Sequence, residues 1–453
     1  MTASVLNKTI LPNGLRVVTE SMPDRDSVTI GVWVEVGSRY EDDATAGVSH
    51  FLEHMVFKAT PTRSAREIAL EVERLGGSLN AFTSREHTCY HARVVGRDLP
   101  TALEILADLS TRATLPAAEV QKERLVIAEE IKDAHDTPNE WVHDLFAMQM
   151  WPGHSIGRSI AGTIPTVMGT TRETLHKHRA RFYRPDRMLI AACGNLSHAK
   201  LVSLVKKAFT IDTPTGRVEA PSTPNGAMVQ RGVAHREINQ THVCLGFPLW
   251  KFADPRRHTV LVISNILGGG MSSRLFQSVR EQRGLVYAIY PIQDSYQDAG
   301  FLGVYFACDP KHMLEASNLV LKEMGQLAYG RIGATELDDV KSQLRGNLLL
   351  GLESTSSRMH RIARHELYLG DYVTPGQTMK AIRKVSAADI RNVASEAFVP
   401  DRLAMAVLGP VPGETVGKVD LGALQRPVRS GRKRLTARPK PASSQRKSPS
   451  RRA

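Results

Sequence analysis

Two stretches half a chain apart constrain the fold more than any other feature of the sequence. FYRPDRMLIAACGN (182–195) and FVPDRLAMAVLGP (398–410) each run from Pro-Asp-Arg into an apolar segment that stops at a glycine, Gly194 or Gly409. A short apolar run bounded by turn residues reads as a buried strand. Asp186 and Asp401, the aspartates of the two triplets, stand 215 residues apart in a chain of 453. Similarity at that interval implies an internal duplication, and so long a chain exceeds what one common core fills. The expectation is two similar domains, 1–210 and 229–418, joined by the linker IDTPTGRVEAPSTPNGAM (211–228), which is rich in turn-forming residues.

Within the first half, strand and helix signals alternate. LRVVTE (15–20) and SVTIGVWVEVGS (27–38) read as a hairpin around a turn at Met22–Asp26, and HTCYHARV (87–94) as a further strand. SAREIALEVERLGG (64–77) reads as a helix: Ser64 and Glu67 fit a capping box, Ile68, Val72 and Leu75 fall on one face, and Gly76–Gly77 stop it. A longer helix is expected over Ala117–Ala134. The predicted class is α+β, with two duplicated domains, each a mainly antiparallel sheet packed with helices.

The formal net charge of +13 belongs to one end of the chain. Residues 426–453 carry 11 Lys/Arg and no acid, which leaves 48 bases against 46 acids in the rest. A Pro/Ser/Arg/Lys stretch without apolar periodicity cannot bury a core, so 419–453 is expected to be a disordered basic tail. Such a tail suits contact with nucleic acid, anionic lipid or acidic protein surfaces, or serves only to solubilise. No apolar stretch approaches the roughly 20 residues that span a bilayer, so no transmembrane segment is expected. The first residues show neither a signal-peptide apolar region nor an Arg-rich transit pattern. Cys89, Cys193, Cys244 and Cys308 are scattered, with no CxxC pair, and read as reduced, buried thiols in a cytoplasmic protein.

The chemistry concentrates in HFLEHMVFK (50–58). On a helix His50 and His54 are i, i+4 and project from one face, where two neutral imidazoles can hold one metal ion. Glu53 stands at the edge of that face, placed to reach a water beside the metal. This is the HxxEH arrangement, an inverted metallopeptidase motif. A surface helix that happens to carry paired histidines is the competing reading. A catalytic zinc also needs a third protein ligand while one position stays open. In KERLVIAEEIKDAHD (122–136), Glu130 is a candidate, and Glu123, two turns before it on the same face, could orient a ligand from behind. Glu129 is a rival ligand, pointing about 100° away around the helix.

These residues, together with their spacing, resemble the pitrilysin/insulinase class of zinc peptidases, most closely the branch of mitochondrial processing peptidase and its bacterial homologues, from about Lys8 to Val416. The family pattern places a ligand glutamate about 76 residues after HxxEH and another glutamate seven before it. From His54 to Glu130 is 76, so the resemblance favours Glu130 over Glu129. It implies metal ligands His50, His54 and Glu130 for one Zn²⁺ per chain, with Glu53 as catalytic base and Glu123 supporting. GGSLNAFTSREHTCY (76–90) resembles the family's substrate-pairing edge strand, which assigns Asn80, Ala81 and Phe82 to substrate; main-chain pairing would supply affinity. Phe57 resembles a wall of the pocket just after the scissile bond, or else packs as a staple. Glu140 and Asp144 match acids that receive a substrate arginine. Arg280 and Tyr287, within GGGMSSRLFQSVREQRGLVYAIYP (268–291), match an element that helps to hold substrate from the other domain or from a partner subunit. The second half has no HxxEH, so one metal site per chain is expected.

The reading is a zinc metalloendopeptidase acting on extended or unfolded peptides, with preference near basic residues, and forming a homodimer, a heterodimer being the alternative. Two other readings stand beside it: a non-proteolytic assembly subunit of the same fold, and an anionic-polymer binder working through the tail.

Overall fold

A computed structural model of the chain describes residues 5–211, 216–226 and 228–425. In the first half, β1 (Val5–Ile10), β2 (Arg16–Ser21), β3 (Ser27–Val34), β4 (Ser78–Thr83), β5 (Thr88–Val95) and β6 (Met188–Gly194) form one sheet in the order β1-β2-β6-β3-β5-β4. In the second half, β7 (Arg231–His235), β8 (Thr241–Leu249), β9 (Val286–Ser295), β10 (Gly300–Cys308) and β11 (Ala404–Gly409) form another in the order β7-β11-β8-β10-β9. The last five strands of the first sheet match the second one for one. In each, a single parallel pair, β2 with β6 or β7 with β11, sits in an otherwise antiparallel sheet. This is the duplicated α+β fold expected.

The repeated triplet has the same task in both halves. Pro185–Arg187 and Pro400–Arg402 each form one tight turn that delivers the chain into a fully buried strand, β6 or β11. Arg187 donates to the Glu35 carbonyl just past β3, and Arg402 to the Pro248 carbonyl near the end of β8. At the far end of β6, Gly194 has φ +130°, and a Cβ there would lie 2.2 Å from the Ser27 carbonyl oxygen; only glycine fits.

The expected hairpin of β2 with β3 does not form. β6 lies between them, parallel to β2 and antiparallel to β3. Both strands are buried nearly throughout, so each needs a partner on both edges, and β6, the most apolar strand of the half, supplies one to each. Two further differences concern the ends. β1, which among the described residues pairs only with β2, has no counterpart in the strand signals read from the sequence. Residues 419–425, placed by the sequence in the tail, instead pack down: Val419 and Leu424 are buried in the second core. The rest of the tail, 426–453, and linker residues 212–215 and 227 lie outside the described residues. All four cysteines are buried and free, and no described helix is long and apolar enough to cross a membrane.

Helices cover each sheet on both faces, and the cover is exchanged. One face of the first sheet, with Ile30, Val32, Tyr90 and Ile190, packs on α1 (Val48–Val56), α2 (Ala65–Arg74), α3 (Leu99–Ala107) and α4 (Ala117–Asp136). Its other face, with Val18, Trp33, Cys89 and Leu189, is covered by Met359, Ile362 and Ala363 of the second half's Thr355–Leu369 helix. Reciprocally, Cys244, Tyr305, Ala404 and Ala406 of the second sheet are covered by Val142, Phe146 and Met150 of α5 (Pro138–Met150) from the first half. Polar contacts fix the exchange: Thr29 to Thr355 at 2.9 Å, Tyr368 to Glu86 at 2.8 Å, and Lys8 to Glu366 at 2.8 Å.

Candidate metal centre and substrate cleft

α1 begins at a forced turn. Gly47 precedes it at φ +91°, and a Cβ there would lie 2.4 Å from the Ala161 carbonyl oxygen. The free N–H groups of this helix start are met by Glu41, whose carboxylate accepts from Gly47 N at 2.7 Å and Ser49 N at 2.8 Å, a partner suited to the positive end of a helix. Val48, Phe51, Leu52, Met55 and Val56 fill the core side of α1, which leaves His50, Glu53 and His54 on the side toward α4 and β4.

α4 lies alongside with Ile127 and Ile131 in the core, which turns Glu123 and Glu130 toward α1. The imidazole rings of His50 and His54 are 4.6 Å apart. Their Nε2 atoms stand 3.9 Å and 3.6 Å from the same Glu130 oxygen, Oε2. His50, His54 and Glu130 are the one group of at least three metal-capable side chains among the described residues, with ligand atoms within 4.8 Å of one another. Glu129 instead pairs with Lys132 at 2.6 Å on the exposed side of α4.

The donor set fits a divalent ion of the zinc type. Two donors about 2 Å from a tetrahedral ion lie roughly 3.3 Å apart, near the spacing found and beyond hydrogen-bond reach. His54 donates its Nδ1–H to Glu123 Oε1 at 2.9 Å, leaving Nε2 bare toward Glu130, as ligand histidines are commonly held. Burial works against the charge on Glu123, but hydrogen bonds and charges from Lys58 and His54 outweigh it and hold the carboxyl below its ordinary value; Lys58 Nζ lies 2.6 Å from Oε2. Burial, and then the neighbouring His54, pushes His50 down to about 4. It is therefore neutral at physiological pH, the form that ligates.

Glu53 accepts from the Thr83 hydroxyl on β4 at 2.5 Å. Burial pushes its carboxyl above the ordinary value, against the pull of Thr83 and His54, and Glu130 adds to the rise. A raised carboxyl beside a metal-capable cluster is suited to proton transfer.

The centre opens into a cavity of about 420 Å³. Its walls include His50, Glu53, Ala81, Phe82, Thr83, Glu130, Glu140, Trp141 and Asp144. The fold thus gathers residues as far apart in the sequence as His50 and Ala161. Among the described residues β4 is an edge strand, paired only with β5. Asn80 is exposed, and its Oδ1 accepts from the Ala81 N–H at 2.8 Å, so this side chain caps its neighbour's backbone donor. Asp144 lies 4.0 Å from Arg85, whereas Glu140 has no ion pair among the described residues.

Three expected residues lie elsewhere. Phe57, just past α1, packs toward Tyr90 with ring centres 6.3 Å apart and belongs to the margin of the core. Arg280, in the helical turn Phe276–Glu281, and Tyr287, at the start of the edge strand β9, sit together, the guanidinium 5.6 Å from the tyrosine ring. Tyr287 is 77% exposed, and neither residue lines the cavity. Thr83, Lys58 and Trp141 were missed from sequence. The first two were legible: Thr83 shares the face of Ala81 by strand period, and Lys58 lies one turn beyond His54.

The first half, residues 16–164, matches the family model described as insulinase (peptidase family M16), and residues 170–344 match the one described as peptidase M16 inactive domain. The chain belongs to peptidase family M16. An uncharacterized zinc protease of Mycobacterium tuberculosis is 41% identical over 407 residues, covering 89% of this chain and 93% of its own length. Another, from Bacillus subtilis, is 38% identical over 398 residues, covering 88% and 97%. Among solved structures, a protease from Helicobacter pylori shares the fold at TM-score 0.84 with 24% identity, over 90% of this chain and all of that one. Relative to this M16 frame, the metal-capable cluster lies wholly within the half matched by the insulinase model.

Proposed function

We propose that this protein is a zinc-dependent endopeptidase that cleaves extended or unfolded peptides near basic residues. One observation carries the reading: His50, His54 and Glu130 converge beside a cleft whose wall includes His50, Glu130 and Glu53 and which is bordered by a sheet edge unpaired among the described residues. A zinc ion held by those three residues, one per chain, would polarise the scissile carbonyl and make the attacking water more acidic. Glu53 takes the proton from that water and passes it to the leaving amine. Glu123 and Lys58 hold the tautomer and orientation of His54. β4 receives the substrate as an added strand, which selects chains whose backbone is free to pair. Glu140 and Asp144 attract a substrate guanidinium or ammonium; Glu140 is the freer of the two. The zinc proteases among the relatives support the same activity.

Arg280 and Tyr287 are assigned to substrate holding; neither lines the cleft of its own chain, which favours delivery by a second copy, hence a homodimer. Mixing Glu53→Gln protein with Tyr287→Phe protein should restore part of the activity each lacks; strict additivity of the two residual rates contradicts the shared site. The peptidase reading itself is tested by cleavage of quenched fluorescent peptides. A chelator should abolish cleavage and stoichiometric zinc restore it; cleavage that persists in the chelated protein rules the reading out. A cytoplasmic location, and contact of the basic tail with nucleic acid or anionic surfaces, complete the proposal.

A further inference from the structure

The second half contains a cavity of about 310 Å³ that shares no lining residue with the metal cleft. Three arginines line it. Arg257 opens the Arg257–Gly268 helix, and Arg361 and Arg364 are three apart on the Thr355–Leu369 helix, so they share a face. Elsewhere in the molecule, the buried Arg39 lies 2.6 Å from both Glu86 and Asp298, and the half-buried Arg274 lies 2.6 Å from Glu336. These three make no ion pair among the described residues.

Their own hydrogen bonds leave capacity over. Arg257 donates to the Phe252 carbonyl at 3.0 Å. Arg361 donates from Nη2 to the Val373 carbonyl at 3.0 Å and to the Thr378 hydroxyl at 2.8 Å, while its buried Nε has no hydrogen-bond partner among the described residues. Arg257 and Arg364 lie 5.3 Å and 5.1 Å from the centre of the Phe252 ring, which holds both guanidinium planes in place. Two acids reach the wall. Asp254 is gripped by Arg256 at 2.8 Å and 2.9 Å, and Asp294 accepts from the Ser295 N–H at 2.8 Å. Lys251 adds another positive charge. Burial first, and then the clustered arginines, push His365 down to about 3 and His258 to about 4, so neither imidazole adds to the repulsion.

We propose that this cavity binds a compact multivalent oxyanion of the phosphate or pyrophosphate class. Planar guanidinium groups pair with such oxygens bidentately, and a partly desolvated cluster of like charges is relieved by a ligand carrying two or more negative charges. The volume admits a small ion or the phosphate end of a nucleotide and excludes a folded segment.

The test is isothermal titration of the full chain with pyrophosphate in phosphate-free buffer. Arg364→Gln, at an exposed position, and Arg361→Gln are titrated alongside, with circular dichroism to confirm folding. His54→Ala is included because pyrophosphate can also bind a metal in the other cleft. The expected result is one site per chain, weakened roughly tenfold or more in each arginine variant and unchanged in His54→Ala. ATP binding with the same arginine dependence would make a nucleotide's phosphate tail the source, and binding of pyrophosphate alone would make it the free ion. Absence of pyrophosphate binding, equal binding in Arg364→Gln, or tighter arginine-dependent binding of a glutamate-rich peptide would overturn the assignment.

Discussion

Glu53 shows how a single carboxylate is set between opposing influences. Burial favours its neutral form, while the Thr83 hydroxyl and His54 favour the charged one. Only the charged form accepts a proton, so activity is expected to fall as pH drops through the Glu53 pKa. Replacing Thr83 by valine removes a bond that lowers that pKa. The acidic limb of kcat/KM should therefore move to higher pH in Thr83→Val, with kcat near neutrality reduced roughly tenfold. A pH–rate profile superimposable on wild type would show that Thr83 does not tune the base. At this scale the sequence was informative where spacing alone fixes geometry: i, i+4 for His50 and His54, i, i+7 for Glu123 and Glu130. The Thr83–Glu53 bond joins a helix to a strand 30 residues later, a distance that no local period reaches.

At the scale of elements, the cleft is a helix pair, α1 with α4, set against the edge strand β4. The helices and their caps were readable because each rule is local; the Ser64–Glu67 capping box appears as expected. Strand order was not. Adjacent strand signals at 15–20 and 27–38 imply a hairpin, yet the chain places β6, from 188–194, between them. Pairing partners depend on which apolar edges compete, and the strongest competitor lies far along the sequence. β4 stays unpaired on its outer side, and that edge is what a substrate backbone would use. Peptides N-methylated at alternate residues beside the cut should lose at least tenfold in kcat/KM, while methylation far from it should have little effect. Equal cleavage of all methylated peptides would exclude strand addition.

At the scale of the whole molecule, the duplication visible in the two Pro-Asp-Arg segments proves to be a pair of halves that cover each other. The outer faces of both sheets, with Trp33 and Leu189 in one and Tyr305 and Ala406 in the other, are closed by helices from the opposite half. The sequence shows the repeat but not the exchange, because an amphipathic helix does not state which sheet it will cover. Expressed separately, residues 1–210 should therefore aggregate or bind a hydrophobic dye, whereas the full chain should melt in one transition. A monomeric, cooperatively melting 1–210 fragment would show the halves to be independent. The arrangement also carries Glu140 and Asp144, on α5, to the junction of the two halves, beside the metal centre. That centre is the core of the functional reading, and one comparison tests it most directly. Wild type and Glu53→Gln are measured side by side for bound metal and for cleavage of fluorescent peptides with and without basic residues. About one zinc per chain in both, with cleavage by wild type and a loss of at least a hundredfold in the variant, is the expected result. Undiminished cleavage by Glu53→Gln, or no metal bound by either protein, would contradict it.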